Sequence, residues 1–415
     1  GWPSGFGGGI VNSKGVKFQQ KYLRCDENTD GENTICHIGK LRFYYEINPF
    51  YVDTLSKDAV ECFIDNIYVP YYDKFKNEFD GFFTDEPQIS RKGIPWSFDF
   101  RDTYMQKYGE DLYLKLNELF FETGDWKNTR IKFWKNVTEM FSQNFMKQVY
   151  DWCNAHSLKF TGHLLAEETL FKQLETNGAC MPHYEYFSIP GMDWLMRRFP
   201  NCLTMYQLGS AAQQLGKKQI LSETFAMTGH NIGQDELKGL FEWQMVHGGA
   251  TLLCQHLEGY SIRGQRKRDY PPAMYVQQPW WKYCKTFNDA MSRIGMLMSE
   301  GDENVDVLII HPQTTAWSYY NSFESGREKI DALHEKLTDT IMCLERKHVR
   351  FHLGDEILIE RHGSAGGGKF TIGKKQYTKI IILDDTVLLD NTKKLIDDYK
   401  KNGGIITSAD KIKGN

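Results

Sequence analysis

Short apolar runs recur along this sequence, each closing on an acidic or otherwise polar group, and the stretches between them carry helical periodicity. Gly81-Phe82-Phe83-Thr84-Asp85-Glu86 and Gln219-Ile220-Leu221-Ser222-Glu223 are two; Leu158 to Thr161, Tyr186 to Ile189 and Thr251 to Gln255 are others. Such runs are too short for helices, and their lack of alternation marks strands buried on both faces, which is the environment of a parallel sheet. Parallel strands need long crossovers, and the intervening segments supply them. Between Asp102 and Phe121, and again from Thr129 to about Ala155, apolar residues fall at helical spacing, the second set running Phe133, Val137, Met140, Phe141, Phe145, Val149, Trp152.

With 415 residues, the chain suits a barrel of βα units followed by a smaller unit. Leu41 to Tyr45 and the helical segment from Lys57 to about Phe75 read as one βα unit, and Phe79 to Thr84 as the next strand, stopped by Pro87. If that strand is the fourth, the four later runs are the fifth to eighth, with Glu86 following the fourth and Glu223 the seventh. This count needs a first strand upstream of Gly1. The opening Gly1-Trp2-Pro3-Ser4-Gly5-Phe6-Gly7-Gly8-Gly9 is loop chemistry, so the expectation is a chain whose native N-terminus is missing. Residues 1–301 are therefore assigned to a (β/α)8 TIM-type barrel lacking its first strand.

At Ser299 to Glu303 the pattern turns polar. Beyond it lie strands at Val305 to Ile310, Val349 to His352, Lys379 to Leu383 and Gly404 to Thr407, with helices around Lys329 to Lys347 and Asn391 to Lys401. Strands alternating with helices predict a doubly wound α/β unit over 302–415, incomplete at its C-terminal end. The stretch Gly363 to Gly368 lacks the order of a dinucleotide fingerprint and reads as a flexible loop.

The formal net charge of −4 provides no basic surface for a phosphate backbone, which argues against nucleic acid. No apolar stretch reaches the length of a membrane span, and the first residues lack a signal-peptide pattern. The nine cysteines, an odd number without a CxxC pair, suggest neither a disulfide framework nor a zinc site, so a reducing, cytoplasmic compartment is expected. Ten Trp and twenty-two Tyr suit stacking on sugar rings, although most of these rings will be core.

Barrel enzymes place catalytic groups where strands emerge at the C-terminal face. Cleaving a glycosidic bond needs one carboxylic acid to protonate the leaving oxygen and a second carboxylate as nucleophile or base. Glu86 and Glu223 have the right type and placement. Asp85 beside Glu86 should raise its pKa, so Glu86 is assigned as general acid and Glu223 as base or nucleophile. The competing assignment, a salt-bridged surface carboxylate, weakens when two such groups share a barrel pattern. The remaining strand ends supply candidate substrate-binding groups: Asp85, His163, Glu167, Asp193, Trp194, His230, His256, Glu258 and Tyr260, with Trp280 and Trp281 as further sugar platforms. No metal ligand set is assigned, because the His163 to Glu167 spacing lacks the second histidine of HExxH.

Gly1-Trp2-Pro3-Ser4-Gly5, Phe83-Thr84-Asp85-Glu86-Pro87, Ser222-Glu223-Thr224 and His256-Leu257-Glu258-Gly259-Tyr260-Ser261 followed by Tyr270-Pro271-Pro272 together resemble bacterial glycoside hydrolases of the α-L-rhamnosidase type. The resemblance covers roughly residues 1 to 300. It implies a calcium-assisted inverting enzyme with a barrel core, and its catalytic carboxylates fall on Glu86 and Glu223. Calcium enters only through this resemblance, with no ligands matched to particular residues. The second unit resembles the flavodoxin-like module of certain β-galactosidases, where it helps build the active site or the oligomer, which implies a homo-oligomer. The expected function is a glycoside hydrolase acting on an oligosaccharide or glycoside. The alternatives are a β-galactosidase-like hydrolase, a non-catalytic carbohydrate-binding protein, and a metal-dependent hydrolase built around His163.

Overall fold

The computed structural model describes residues 15–28, 30–199, 203–258, 264 and 270–413. The glycine-rich opening, Cys202 and the segment holding Tyr260 lie outside the described residues.

The strands, in chain order, are β1 (Gln19–Asp26), β2 (Thr34–Ile38), β3 (Leu41–Val52), β4 (Gly81–Asp85), β5 (Pro95–Trp96), β6 (Lys159–His163), β7 (Ile189–Trp194), β8 (Leu221–Thr224) and β9 (Leu252–Gln255). They continue as β10 (Leu257–Glu258), β11 (Met274–Tyr275), β12 (Val307–Ile310), β13 (Phe351–Gly354), β14 (Gly363–Gly366), β15 (Lys369–Ile372), β16 (Lys375–Tyr377), β17 (Lys379–Ile382) and β18 (Ile405–Ser408).

Five of them form a parallel sheet in the order β4-β6-β7-β8-β9. Spatial order follows chain order, so the sheet winds in one direction, as an arc of a barrel does, with each crossover made by helices such as Leu203–Leu215 and Gln234–Gly248. The fold is mixed α/β with this half-barrel at its centre.

Leu41 to Tyr45 is a strand, but it is not part of a barrel βα unit. It belongs to β3 in an antiparallel sheet ordered β2-β3-β1-β5. Gly39, at φ +61°, lets the chain reverse between Ile38 and Leu41, so local hairpin pairing captures β3. The helix Lys57–Phe75 then leads into β4. Asp102 to Phe121 is not one helix either: Gly109 at φ +68° ends Phe100–Tyr108, and Leu116–Phe120 follows separately. The second amphipathic stretch is continuous, with a π-helical segment Phe141–Lys147 between Trp126–Met140 and Gln148–Ala155.

The C-terminal residues build a second parallel sheet ordered β13-β12-β17-β18. Here the direction of winding reverses between β13 and β17, the property of a doubly wound sheet. The expected flexible loop at Gly363 to Gly368 is instead β14 and a tight turn, in a small antiparallel sheet with β15 and β16. Gly367 and Gly368, at φ +57° and +70°, supply the two left-handed residues of a two-residue hairpin, so glycine enforces order at this point. One large apolar core takes in residues of both parallel sheets, from Phe160 and Met192 to Leu353 and Ile381. Among the described residues, no helix is long and apolar enough to cross a membrane, and the eight described cysteines are free.

Candidate active site

The C-terminal ends of β4, β6, β7 and β8 converge on one acidic cleft. Gly162, at φ +138°, brings β6 against β4 so closely that a Cβ there would stand 2.0 Å from the Thr84 carbonyl oxygen. This contact sets the register in which Asp85 faces His163. Two strands further along, Asp193 on β7 faces Glu223 on β8. Non-glycine residues with positive φ gather just beyond these strand ends: Glu86 after β4, Ala166 after β6, Met196 after β7, Phe225 and Met227 after β8. Glu86, at φ +49°, also precedes Pro87, which disfavours that conformation. Backbone strain of about 1–3 kcal/mol per residue persists where the surroundings hold it, and it concentrates at functional sites.

Glu223 is clamped at both oxygens. His163 Nε2 donates to Oε2 at 2.7 Å and His256 Nε2 to Oε1 at 2.6 Å. His163 Nδ1 lies 3.2 Å from the Leu164 carbonyl oxygen, so both ring nitrogens face acceptors and the imidazole is held as the cation. Burial works against that charge, but the Glu223 hydrogen bond and the nearby Asp193 and Glu167 carboxylates raise the His163 pKa to about 10. Burial likewise acts to raise the Glu223 pKa, but the two histidine hydrogen bonds outweigh it and lower it to about 2. Glu223 is thus ionised at any working pH.

The other carboxyls shift the opposite way. Burial, then the neighbouring Asp85, raises the proton affinity of Glu86, partly offset by Arg91, whose guanidinium lies 3.0 Å from Glu86 Oε2. The Glu86 side chain is 26% exposed and that of Glu223 18%, so both reach the cleft. Asp85 is raised by burial and by Glu223, and its Oδ1 sits 3.4 Å from His163 Nε2. Burial pushes Asp193 up to about 7, and its Oδ1 is buried without a hydrogen-bond partner. Glu167 lies deeper: burial raises it to about 8, and Tyr184 donates to its Oε1 at 2.5 Å.

Asp85, Glu86, His163, Glu167, Asp193, Glu223 and His256 therefore form one electrostatic cluster. His230 stands apart, exposed, with its Nδ1 3.2 Å from the Tyr275 hydroxyl, and Glu258 is a buried residue of β10 paired with Tyr275 of β11. Trp194 is not in the cleft. Because β7 extends to residue 194, period-2 alternation turns Trp194 away from Asp193 and packs it, 0% exposed, against Trp243. Trp280 and Trp281 are partly buried against the core, and Trp280 Nε1 donates to the Ile232 carbonyl. The structure adds Arg91 and Tyr184. Arg91 was within reach of sequence reasoning as a cation five residues after Glu86, whereas Tyr184 sits in a 3-10 segment, Met181–Tyr186, with no periodic signature.

Asp85, His163 and Glu223 place one donor atom each within 4.8 Å of one another, the one such trio found among the described residues. Calcium takes about six to eight oxygen ligands. This trio offers one nitrogen and two carboxylates, with His163 Nε2 already hydrogen-bonded to Glu223, and it does not fit calcium.

No family model matches the chain, and no curated protein matches it by sequence. Among solved structures it is similar to a rhamnosidase from Novosphingobium sp. PP1Y, with a TM-score of 0.63 and 14% identity over 89% of this chain and 36% of that one. It is also similar to a β-galactosidase from the psychrophilic Marinomonas ef1, with a TM-score of 0.59 and 9% identity over 96% of this chain and 63% of that one. A catalytic mutant of Gan42B, a GH42 β-galactosidase from G. stearothermophilus, gives 0.56 and 10% over 86% of this chain and 55% of the other. The chain thus spans less than two-thirds of each of these proteins. At such identities the likeness establishes a glycoside-hydrolase-like fold.

Proposed function

We propose that this chain carries the catalytic cleft of a glycoside hydrolase, in which Glu86 protonates the leaving oxygen and Glu223 acts on the anomeric carbon. The observation that carries this reading is the opposed tuning of two carboxyls on strands of one half-barrel: Glu223 pinned as the anion by two histidines, Glu86 pushed towards the protonated form. Two carboxyls with pKa values driven apart are the requirement for acid and carboxylate roles at one pH. Glu223 is therefore assigned as the carboxylate acting opposite the acid, as nucleophile or as base toward water, the choice resting on its separation from Glu86. Asp193 and Asp85 surround the sugar as acceptors, and the His163 cation holds Glu223 in place. In this reading the half-barrel is part of an eight-stranded barrel, and 302–415 is a flavodoxin-like unit.

The favoured substrate is an α-L-rhamnoside, from the motifs and the rhamnosidase likeness. A β-D-galactoside is the second reading, supported by the Marinomonas match, whose 96% coverage of this chain takes in the C-terminal sheet. Glu86→Gln and Glu223→Gln, assayed on p-nitrophenyl α-L-rhamnoside and β-D-galactoside, should each lose at least about 10³-fold in kcat. Only Glu86→Gln should recover on a dinitrophenyl glycoside, whose leaving group needs no proton. Near wild-type rates in both amide variants would sink the assignment. NMR of the first-formed anomer reads the stereochemical course.

A further inference from the structure

A groove of about 790 Å³ runs across the N-terminal antiparallel sheet, within the range of small-ligand sites. Its lining includes Tyr22, Tyr44, Tyr45 and Phe50 together with Arg91, the residue whose guanidinium holds Glu86. Phe50 lines the groove and is 60% exposed, so its ring packs into no core. Tyr44 is stiffened by the Arg42 guanidinium 4.2 Å from its ring, and Arg42 is in turn paired with Asp26.

The groove and the acid are built on one piece of backbone. Tyr51, at the end of β3, points its hydroxyl to the Glu86 carbonyl oxygen at 3.4 Å. The chain after Glu86 is pinned to this sheet by Thr54 Oγ1 donating to the Gln88 carbonyl at 2.9 Å and by Leu23 N donating to the Ile94 carbonyl at 2.9 Å. Asn48 Nδ2 and the Tyr22 hydroxyl both reach Gln20 Oε1, at 3.0 and 2.9 Å, which makes the floor rigid. Charge is balanced along the lining: Arg42, Arg91 and Lys92 against Asp30, Glu32 and Glu46.

We infer that this groove binds the leaving-group side of an oligosaccharide, a short run of neutral sugars that stack on Phe50 and on Tyr44 and Tyr45 while the terminal sugar occupies the acidic cleft. The inference rests on Glu86 being the general acid, because that residue touches the leaving oxygen and so fixes the side from which the rest of the glycan departs. Balanced charge selects neutral sugars over acidic polymers, and the exposed Phe50 ring and half-buried Tyr44 and Tyr45 beside hydrogen-bonding groups suit a sugar's two faces.

The test compares two substrates with the same terminal sugar, one on p-nitrophenol and one capping a β-1,4-linked tetrasaccharide. The ratio of kcat/KM on the tetrasaccharide to that on the aryl glycoside should fall about five- to tenfold in Phe50→Ala and return in Phe50→Trp. A ratio within about twofold of wild type in Phe50→Ala overturns the inference. Calorimetry with rhamnose- and galactose-capped tetrasaccharides separates this outcome from failure of the glycosidase reading. Binding that persists in Glu223→Gln and is lost in Phe50→Ala upholds the groove even if nothing is hydrolysed. Binding absent from the wild type, or indifferent to Phe50→Ala, removes it.

Discussion

The histidine pair on Glu223 sets how the cleft answers to pH. Glu223 has its pKa lowered from an ordinary 4.5 to about 2, so its contribution to stability is complete above about 4.5 and is lost as pH falls towards 2. His163 is raised from 6.5 to about 10, so its contribution is complete below about 6.5 and disappears as pH rises through 10. The two are halves of one ion pair, and it supports the fold most between those limits. His163→Gln replaces the cation with a neutral donor, so the Glu223 pKa should climb and the acidic limb of the kcat/KM profile move up by about one to two pH units. An unmoved limb would mean that Glu223 is not the group titrating there. Asp193 has the opposite sign. Its pKa is raised from 3.8 to about 7, so its cost to stability is absent below 3.8, builds as pH rises from there and is complete above about 7. Asp193→Asn should therefore melt higher than wild type at pH 8, by about 1–2 kcal/mol, and equally at pH 3.5, while losing activity. Equal melting at both values would place Asp193 in solvent instead.

Among the elements, the antiparallel sheet that carries the inferred groove is anchored by an ion pair inside the protein. Lys21 on β1 and Asp53 after β3 are 0% and 2% exposed, with Nζ and Oδ2 3.2 Å apart. Lys21 also donates to the Gln19 carbonyl at 2.6 Å, and Asp53 accepts from Ser97 Oγ at 2.9 Å. Removing one partner leaves the other charged and buried, so Lys21→Met should cost about 3–5 kcal/mol in urea unfolding, most of which Lys21→Met with Asp53→Leu recovers. The sequence disclosed little of this sheet, because Leu41 to Tyr45 has the same apolar look whether it joins a barrel or a hairpin, and Gly39 decides between them. The parallel strands were legible because burial on both faces leaves an uninterrupted apolar run. Their ends were not: β7 begins at Ile189, three residues later than its apolar run, because Met181–Tyr186 takes up a 3-10 turn. That shift moved Asp193 and Trp194 from a loop onto a strand, where alternation keeps one in the cleft and buries the other. The polar strand ends pointed to His163, Asp193 and His256, but only the fold could show that two of these close on Glu223.

For the whole molecule, the question is whether the C-terminal sheet is a separate unit. The helix Gln313–Tyr319 lies buried against Trp126–Met140, with Tyr320 stacked edge-on to Trp134 at 5.0 Å. Trp317 Nε1 and Gln313 Nε2 both donate to the Gly178 carbonyl, at 2.8 and 3.0 Å, at the end of the helix that follows Glu167. His311, at the end of β12, bonds Gln207 Oε1 at 2.9 Å, and Gln207 donates to the Glu167 carbonyl at 3.2 Å. Cutting at 302 would strip the cover from these groups and from the apolar surface around Trp317, leaving buried polar atoms and core side chains in water together. Residues 1–301 alone should then fail to give a soluble, cooperatively folded protein, although the strand pattern changes at that point. Trp317→Ala in the full chain should lower stability by about 3–5 kcal/mol in one transition seen alike by tryptophan fluorescence and circular dichroism. Two separated transitions, or a soluble 1–301 that melts cooperatively, would make the boundary at 302 a true domain boundary, with Gln207 and Gly178 able to find other partners. A single transition would tie the acidic cleft to the C-terminal sheet through Gln207, so that loosening the sheet should reach Glu167 before it reaches Glu86.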